Sequence, residues 1–195
     1  MVEVVDYGGG NMASLCRGLD RAGIPWVVAG DATALTGCQP AILPGVGSFG
    51  AVMSALRARG LDTRLRDLAG AGVPLLGICV GLQVLFESSE ESAHVDGLGL
   101  LAGRVRRFTA GKVPQIGWNR IEPARPGMGL DAGYVYFVNS YCAAPEDQSD
   151  TLFTAVYYDP FCAAVQRGPM TAFQFHPEKS GDFGRDLLRW WYDAV

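Results

Sequence analysis

Short hydrophobic runs alternate with amphipathic stretches in the first half of the chain. The runs at residues 2–6, 25–29, 41–43 and 73–78 are predicted to be β-strands. The run at 73–78 is apolar throughout, which is typical of a strand buried on both faces of a sheet. The stretches at 11–22, 48–59, 61–69 and 80–87 have helical spacing, the first with Asn11 as its N-cap. This order predicts an α/β fold with a mostly parallel central sheet and helices on both faces.

In the second half, short β-branched and aromatic segments are separated by turn residues. They predict strands at 105–108, 134–138, 152–157, 163–166 and 171–175, which favours antiparallel additions to the sheet. The polar segment 88–97 is expected to be a surface loop, and residues 184–192 a final helix. Because the sequence shows no internal repeat and no low-complexity linker, we expect one domain over residues 1–195.

Composition narrows the possible classes of function. Hydrophobic residues make up 49% of the chain and charged residues 18%, which indicates a folded core. The net charge of −4 gives no reason to expect nucleic acid as a partner. No apolar run reaches the ~18–20 residues of a membrane span, and the N-terminus lacks the basic start of a signal peptide. The five cysteines are widely spaced, so we expect a cytoplasmic protein with neither a disulfide framework nor a metal site.

A glycine-flanked cysteine follows the buried run at 73–78 and precedes a predicted helix. Gly77, Cys79 and Gly81 form a G-x-C-x-G motif, the thiol version of the nucleophile elbow. Glycines at these two positions remove β-carbons that would clash in so sharp a turn. A lone cysteine is more often a buried packing residue, but the paired glycines favour a nucleophile. The start of the helix also favours the thiolate.

A thiol nucleophile needs a base, and the chain has only two histidines. His94 lies in a polar segment and is expected to be solvated. His176 ends a predicted strand, and Glu178, two residues further on, can hold its imidazole. Cys79, His176 and Glu178 therefore predict a nucleophile, base and orienting acid.

Two glycine-rich segments follow strands in the first half. Gly45 and Gly47 after the strand at 41–43 suit either an oxyanion hole or an ordinary turn. The segment 8–13 fits a loose dinucleotide-binding pattern, with Asp31 after the second strand. A glycine-rich first turn is common in such sheets, so a nucleotide site here is the weaker interpretation.

These segments together resemble the triad (class I) glutamine amidotransferases, and among them the glutaminase subunits of imidazole glycerol phosphate synthases. The resemblance runs nearly end to end. It is carried by DYGGGN at 6–11, LPGVGSF at 43–49, GICVGLQ at 77–83, KVPQIGWN at 112–119, YFVNSY at 136–141 and FQFHPEKS at 173–180. The elbow and the HPE segment are shared across class I enzymes, whereas the first, fourth and fifth segments are more particular to these subunits. The resemblance implies a flavodoxin-like class I amidotransferase fold.

The resemblance also implies roles for individual residues. Cys79 would attack the side-chain amide of L-glutamine, His176 would protonate the leaving ammonia, and Glu178 would orient His176. The remaining implied roles are oxyanion binding by the backbone of Val46 or Gly47 with Val80, substrate binding by Gln83, Ser140 and Tyr141, and partner contact by Asn11, Trp118, Tyr136 and Lys179.

The implied partner is a (βα)₈-barrel cyclase that receives the ammonia, and no cofactor is implied. Two positions depart from the family, because Gln115 and Asn139 stand where it usually has histidine. Neither belongs to the triad. Two alternatives stay open at this point: a class I amidotransferase that serves a different synthase, and a non-catalytic flavodoxin-like module that binds a ligand.

Overall fold

The computed structural model describes residues 1–125 and 129–195, in which strands predominate. The strands are β1 (Val2–Val5), β2 (Trp26–Ala29), β3 (Ala41–Gly45), β4 (Leu75–Cys79), β5 (Phe86–Ser89), β6 (Leu101–Arg107), β7 (Gln115–Pro123), β8 (Gly133–Asn139), β9 (Tyr141–Pro145), β10 (Thr151–Tyr157), β11 (Asp159–Arg167) and β12 (Met170–Phe173). The helices are α1 (Met12–Arg21), α2 (Phe49–Ala58), α3 (Leu61–Gly70), α4 (Val80–Gln83) and α5 (Gly181–Asp193), with 3-10 turns at Gln148–Asp150 and Pro177–Lys179.

The strands form one sheet in the order β2-β1-β3-β4-β12-β11-β10-β7-β8. The first five are parallel to one another, and β11, β10, β7 and β8 are added antiparallel. β5, β6 and β9 pair beside this path. The predicted mostly parallel core with antiparallel additions in the second half is therefore confirmed.

Three strand ends meet at one edge of the parallel core. Gly45 at the end of β3 is in register with Cys79 at the end of β4, and Phe173 at the end of β12 is in register with Ile78. Ligands of open α/β sheets bind outside the carboxyl ends of the strands. The sheet thus brings the segments after β3, β4 and β12 to the edge where such a site is expected.

Strands β1, β3 and β4 are fully buried, as predicted for the run at 73–78, whereas Val27 and Val28 of β2 are exposed. Every residue of β1 is buried, including Glu3. The Glu3 carboxylate accepts hydrogen bonds from the Thr36 amide and hydroxyl and from the Gly37 amide, so its burial is compensated. Helix α1 packs with α5, whereas α2 packs with α3 and α4.

The predicted helix at 80–87 is wrong in its second half. α4 ends at Gln83, and the chain continues as β5, in which Phe86 and Ser89 are buried and Glu87 and Ser88 are exposed. The apolar residues of this segment suit either a helix or a strand, and pairing with β6 decides for the strand. The prediction of a surface loop at 88–97 is therefore also wrong at its start.

Besides β5, two further strands were not predicted, β7 and β9. In β7 the polar Gln115 is buried, whereas Ile116 is 64% exposed and Trp118 57% exposed. This inverts the usual arrangement, in which the apolar side of a half-buried strand faces the core. The N-cap prediction also needs correction, because Asn11 occupies the N-cap position of α1 but its side chain makes no capping hydrogen bond.

Among the described residues, no helix is long and apolar enough to cross a membrane.

Candidate active site

Cys79 sits at the junction of β4 and α4 in a backbone conformation that L-residues rarely adopt. Its φ is 57° and its ψ is −111°. The two flanking glycines explain how this turn is possible. A β-carbon at Gly77 would lie 2.8 Å from the Gly81 carbonyl oxygen, and one at Gly81 would overlap the Leu43 carbonyl oxygen. The turn therefore presents the Cys79 side chain at the strand edge, as the sequence predicts.

His176 and Glu178 meet this cysteine from the segment after β12. The Nδ1 of His176 lies 2.9 Å from Oε1 of Glu178, and both side chains are buried. Burial alone lowers the pKa of His176, but the Cys79 side chain beside it and the hydrogen bond with Glu178 raise it to about 10. The structure thus brings the three predicted residues together, in an arrangement that can form a thiolate beside an imidazolium.

Helix α1 supports Glu178 from behind. A β-carbon at Gly18 would lie 2.7 Å from the Cβ of Glu178 and 3.2 Å from its Cα, so only glycine lets this segment lie so close to the helix. Arg21, one helical turn further on, donates from Nη2 to the Glu178 carbonyl oxygen at 3.1 Å. Sequence reasoning missed both residues, because neither belongs to a motif.

A cleft of about 220 Å³ opens beside the Cys79 side chain. Its lining includes five of the predicted oxyanion and substrate residues, namely Gly47, Val80, Gln83, Ser140 and Tyr141. Glu91 also lines it and accepts a hydrogen bond from the Phe49 amide at 2.7 Å. Glu91 was missed because its segment was interpreted as a solvated loop.

Val46, the other predicted oxyanion residue, is engaged differently. Its amide donates to the hydroxyl of the buried Tyr7 at 3.3 Å. Burial raises the pKa of this Tyr7 hydroxyl, and the Val46 hydrogen bond lowers it by less. Gly47, in contrast, has a φ of 96° and lines the cleft.

Gln174 is another residue that sequence reasoning missed, although it lies in the quoted 173–180 segment. Its side chain is fully buried, and its Nε2 lies 3.9 Å from the Cys79 sulfur. Its Oε1 accepts a hydrogen bond from Gln83 Nε2 at 3.1 Å. Gln174 therefore connects the nucleophile to a predicted substrate-binding residue.

The predicted partner residues lie around the outer side of the triad. Trp118 and Tyr136 face each other across β7 and β8 with their rings edge to face, 6.1 Å between centroids. Trp118 and Lys179 border one surface recess with Glu178, and Asn11 borders a small cavity beside His176 and Glu178. The structure places all four close to the triad.

Gln115 and Asn139 are directly opposite each other across β7 and β8, and both are buried. The side-chain Nδ2 of Asn139 donates to the Tyr141 backbone carbonyl oxygen at 3.0 Å. Within residues 1–125 and 129–195, neither Gln115 Oε1 nor Asn139 Oδ1 has a hydrogen-bond partner. Because Asn139 lines the cleft, this pair lies beside the predicted substrate site and outside the triad.

The glycine-rich turn at 8–13 is filled by the protein itself. A β-carbon at Gly8 would lie 2.7 Å from an Arg59 guanidinium nitrogen, and Arg59 Nη1 donates to the carbonyl oxygens of Asp6 and Gly30. Arg59 therefore packs against this turn and bonds to the backbone beside it. The nucleotide interpretation stays a prediction.

Residues 3–193 match the family described as glutamine amidotransferase class-I. The chain belongs to this family. Two relatives are named imidazole glycerol phosphate synthase subunit HisH: one from Moorella thermoacetica is 44% identical, covering 96% of this chain and 92% of the relative, and one from Deinococcus radiodurans is 45% identical, covering 96% and 90%. A solved structure described as a glutamine amidotransferase superposes with a TM-score of 0.81 at 22% identity, covering 100% of this chain and 99% of that one. The structural likeness shows the fold.

Replacing Cys79 of this amidotransferase with alanine is expected to lower the pKa of His176, because it removes one of the two groups that hold the imidazolium. NMR titration of the imidazole signals measures it directly, and the exposed His94 is an internal control. The pKa of His176 in the folded chain lies above its ordinary value of 6.5. Protonation of His176 therefore stabilises the fold fully below pH 6.5, and this stabilisation is lost as the pH rises towards about 10. The Cys79→Ala variant should lose the stabilisation at a lower pH than the wild-type chain. A His176 pKa that does not move would contradict the contact.

Replacing Gly18 with alanine is expected to lower kcat for glutamine hydrolysis about tenfold to a hundredfold, because the new methyl group displaces Glu178. Steady-state kinetics check this. Gly70→Ala is the matched control, since Gly70 ends α3 and a β-carbon there meets nothing within 4 Å. Equal kinetics for the two variants would show that the close packing on α1 does not position Glu178.

Proposed function

We propose that this chain is the glutaminase subunit of imidazole glycerol phosphate synthase and that Cys79, His176 and Glu178 carry out its chemistry. It hydrolyses L-glutamine to glutamate and ammonia, and the ammonia passes to a (βα)₈-barrel cyclase in histidine biosynthesis. The observation that carries the proposal is the triad, formed in a chain that matches relatives of this name over nearly its full length. A cytoplasmic location, where the thiol stays reduced, is part of the proposal.

The geometry supports a two-step reaction through a thioester. The Cys79 thiolate attacks the side-chain carbonyl carbon of glutamine, and the amide oxygen takes up the negative charge. As this intermediate collapses, the C–N bond breaks and His176 gives its proton to the leaving nitrogen, releasing ammonia. His176 then takes a proton from water as the water attacks the thioester, and glutamate leaves with the thiol restored. Glu178 keeps the imidazole in the required orientation throughout.

The oxyanion formed in both steps needs backbone donors. Val80 and Gly47 border the cleft beside the thiol, so their amides are the candidates in the present arrangement. The Val46 amide can take part only after it leaves the Tyr7 hydroxyl. Each donor of this kind contributes about 3–4 kcal/mol to the transition state.

The rest of the cleft suits an amino-acid substrate. Gln83, Ser140 and Tyr141 line the cleft, where they would hold the glutamine head group. Glu91 supplies the carboxylate that the α-ammonium of glutamine requires, and its bond from the Phe49 amide fixes its orientation.

The cyclase would dock on the exposed side of β7 and β8. Their outward side chains pair as Ile116 with Val138, Trp118 with Tyr136 and Arg120 with Tyr134. An apolar face of this kind, rimmed by charge, is typical of a protein interface. Lys179 borders the recess that Trp118 shares with Glu178, and Asn11 borders the cavity beside His176 and Glu178.

The division of labour between the subunits predicts opposite outcomes for two nitrogen sources. In the complex, Cys79→Ala should abolish glutamine-dependent synthesis but leave ammonia-dependent synthesis at the wild-type rate, because free ammonia does not need the thioester. Both rates are measured with the purified cyclase and its nucleotide substrate. Equal loss of both activities would refute the proposal. A wild-type chain that hydrolyses glutamine at the same rate with and without the cyclase would also refute it.

Replacing Glu91 with glutamine is expected to raise KM for glutamine roughly tenfold to a hundredfold, because it removes the charge opposite the α-ammonium while keeping the size of the side chain. Steady-state kinetics of the complex with saturating cyclase provide the measurement. Glu90→Gln is the control, since Glu90 is exposed and bonds to the Arg107 amide away from the cleft. An unchanged KM would remove Glu91 from the substrate site.

A further inference from the structure

The buried Ser180 hydroxyl is bonded to two backbone groups that lie outside its own helix. Its Oγ donates to the His176 carbonyl oxygen at 2.6 Å and accepts from the Tyr136 amide at 2.9 Å. A third bond closes the ring, because the His176 amide donates to the Tyr136 carbonyl oxygen at 2.9 Å. His176 is thus attached to β8 on both sides of its own peptide.

These three hydrogen bonds form an antiparallel β-bridge between Tyr136 and His176 in which the Ser180 hydroxyl is inserted into one of the two links. Two residues paired in this way normally exchange two direct N–H···O bonds. Tyr136 and His176 form an isolated antiparallel bridge, but only the bond from the His176 amide is direct. In the other direction the Ser180 hydroxyl relays the bond, so without it the half-buried Tyr136 amide and the carbonyl of the buried His176 would lose their partners. Leaving such groups unpaired destabilises the folded state.

The position of Ser180 in its helix makes this use of the hydroxyl unusual. Ser180 is the N-cap of α5, where serine normally accepts a hydrogen bond from an amide of the first turn. Ser48 does so at the start of α2, accepting from the Ala51 amide. Ser180 makes no capping bond. Capping of α5 therefore does not explain why a serine stands at position 180, whereas the hydrogen bonds of its hydroxyl to His176 and Tyr136 do.

The packing around Ser180 holds the hydroxyl in place. Its amide donates to the Pro177 carbonyl oxygen at 3.0 Å, which closes the 3-10 turn that carries Glu178. A β-carbon at Gly184 of α5 would lie 2.6 Å from the Ser180 Cβ. The serine is therefore enclosed between the triad segment, β8 and the start of α5.

We propose that Ser180 is a positioning residue whose hydroxyl fixes the His176 backbone to Tyr136 of β8, so that the base and the exposed β7–β8 face move together. The second part of this proposal rests on the proposed function, because it makes docking of the cyclase on that face a signal that reaches His176. The path is short, since the side chain of Tyr136 packs against Trp118 on the outside while its backbone bonds to Ser180 and His176 on the inside.

The test compares Ser180→Ala with Ser180→Cys and with Ser54→Ala as a control on the exposed side of α2. We expect Ser180→Ala to lower kcat for glutamine hydrolysis about tenfold to a hundredfold, with KM changed by less than about twofold. The His176 imidazole signals should shift, and ammonia-dependent synthesis by the complex should stay unchanged. Ser180→Cys keeps a side chain of similar shape but replaces the hydroxyl with a thiol, which is a weaker hydrogen-bond donor. The kcat of this variant should therefore lie between those of Ser180→Ala and the wild-type chain. Ser54→Ala should match wild type.

The outcomes separate positioning from general stability. A Ser180→Ala variant with wild-type kcat would overturn the proposal, as would one that unfolds at lower temperature while its His176 signals and kcat remain those of wild type. If alanine prevents folding, the graded kcat of the cysteine variant decides, and wild-type kcat there overturns the proposal. Absence of any stimulation of the wild-type chain by the cyclase would refute the proposed function instead. The basal kcat of the Ser180 variants would still test the positioning role.

Discussion

The first turn of α4 is pressed against the ends of β3 and β4, and this contact gives Cys79 its left-handed backbone. A β-carbon at Gly45, Gly77 or Gly81 would strike backbone atoms of the facing segment. The strain at Cys79 persists because the surrounding sheet fixes both sides of the turn. The remaining parts of the site are then arranged around a sulfur atom whose place is determined by backbone packing rather than by its own side-chain contacts.

His176 and Glu178 are held by a different kind of support. Their segment follows β12, the strand next to β4, and lies between α1, β8 and α5. Gly18 and Arg21 act on Glu178 from α1, while Tyr136 and Ser180 act on the backbone of His176. The triad thus joins the parallel core, which provides the nucleophile, to the antiparallel part of the sheet, which carries the exposed docking face.

Local features follow from the sequence, whereas most features that depend on distant contacts do not. The pairing of Cys79 with His176 is the exception, because the chain has only two histidines. The elbow could be recognised because three residues in a row of five carry its whole geometry. The strand β7 could not, because its apolar residues Ile116 and Trp118 face outward and its polar Gln115 faces inward. Glu91 was interpreted as a solvated charge, since only the fold reveals its bond to Phe49. Ser180 sits at the start of a helix, where a serine needs no other explanation, and only coordinates show that it bonds elsewhere.

The outward apolar ladder of β7 and β8 also has a consequence for how this protein must be produced. β8 is the last strand in the order of the sheet, so a row of apolar side chains lies beside a strand edge. Such surfaces template contacts between identical chains when nothing covers them. Under the proposed function, a chain made in excess over the cyclase leaves this face uncovered, and we expect such a chain to associate with itself. Balanced synthesis of the two polypeptides would then favour solubility, in addition to its role in the supply of ammonia.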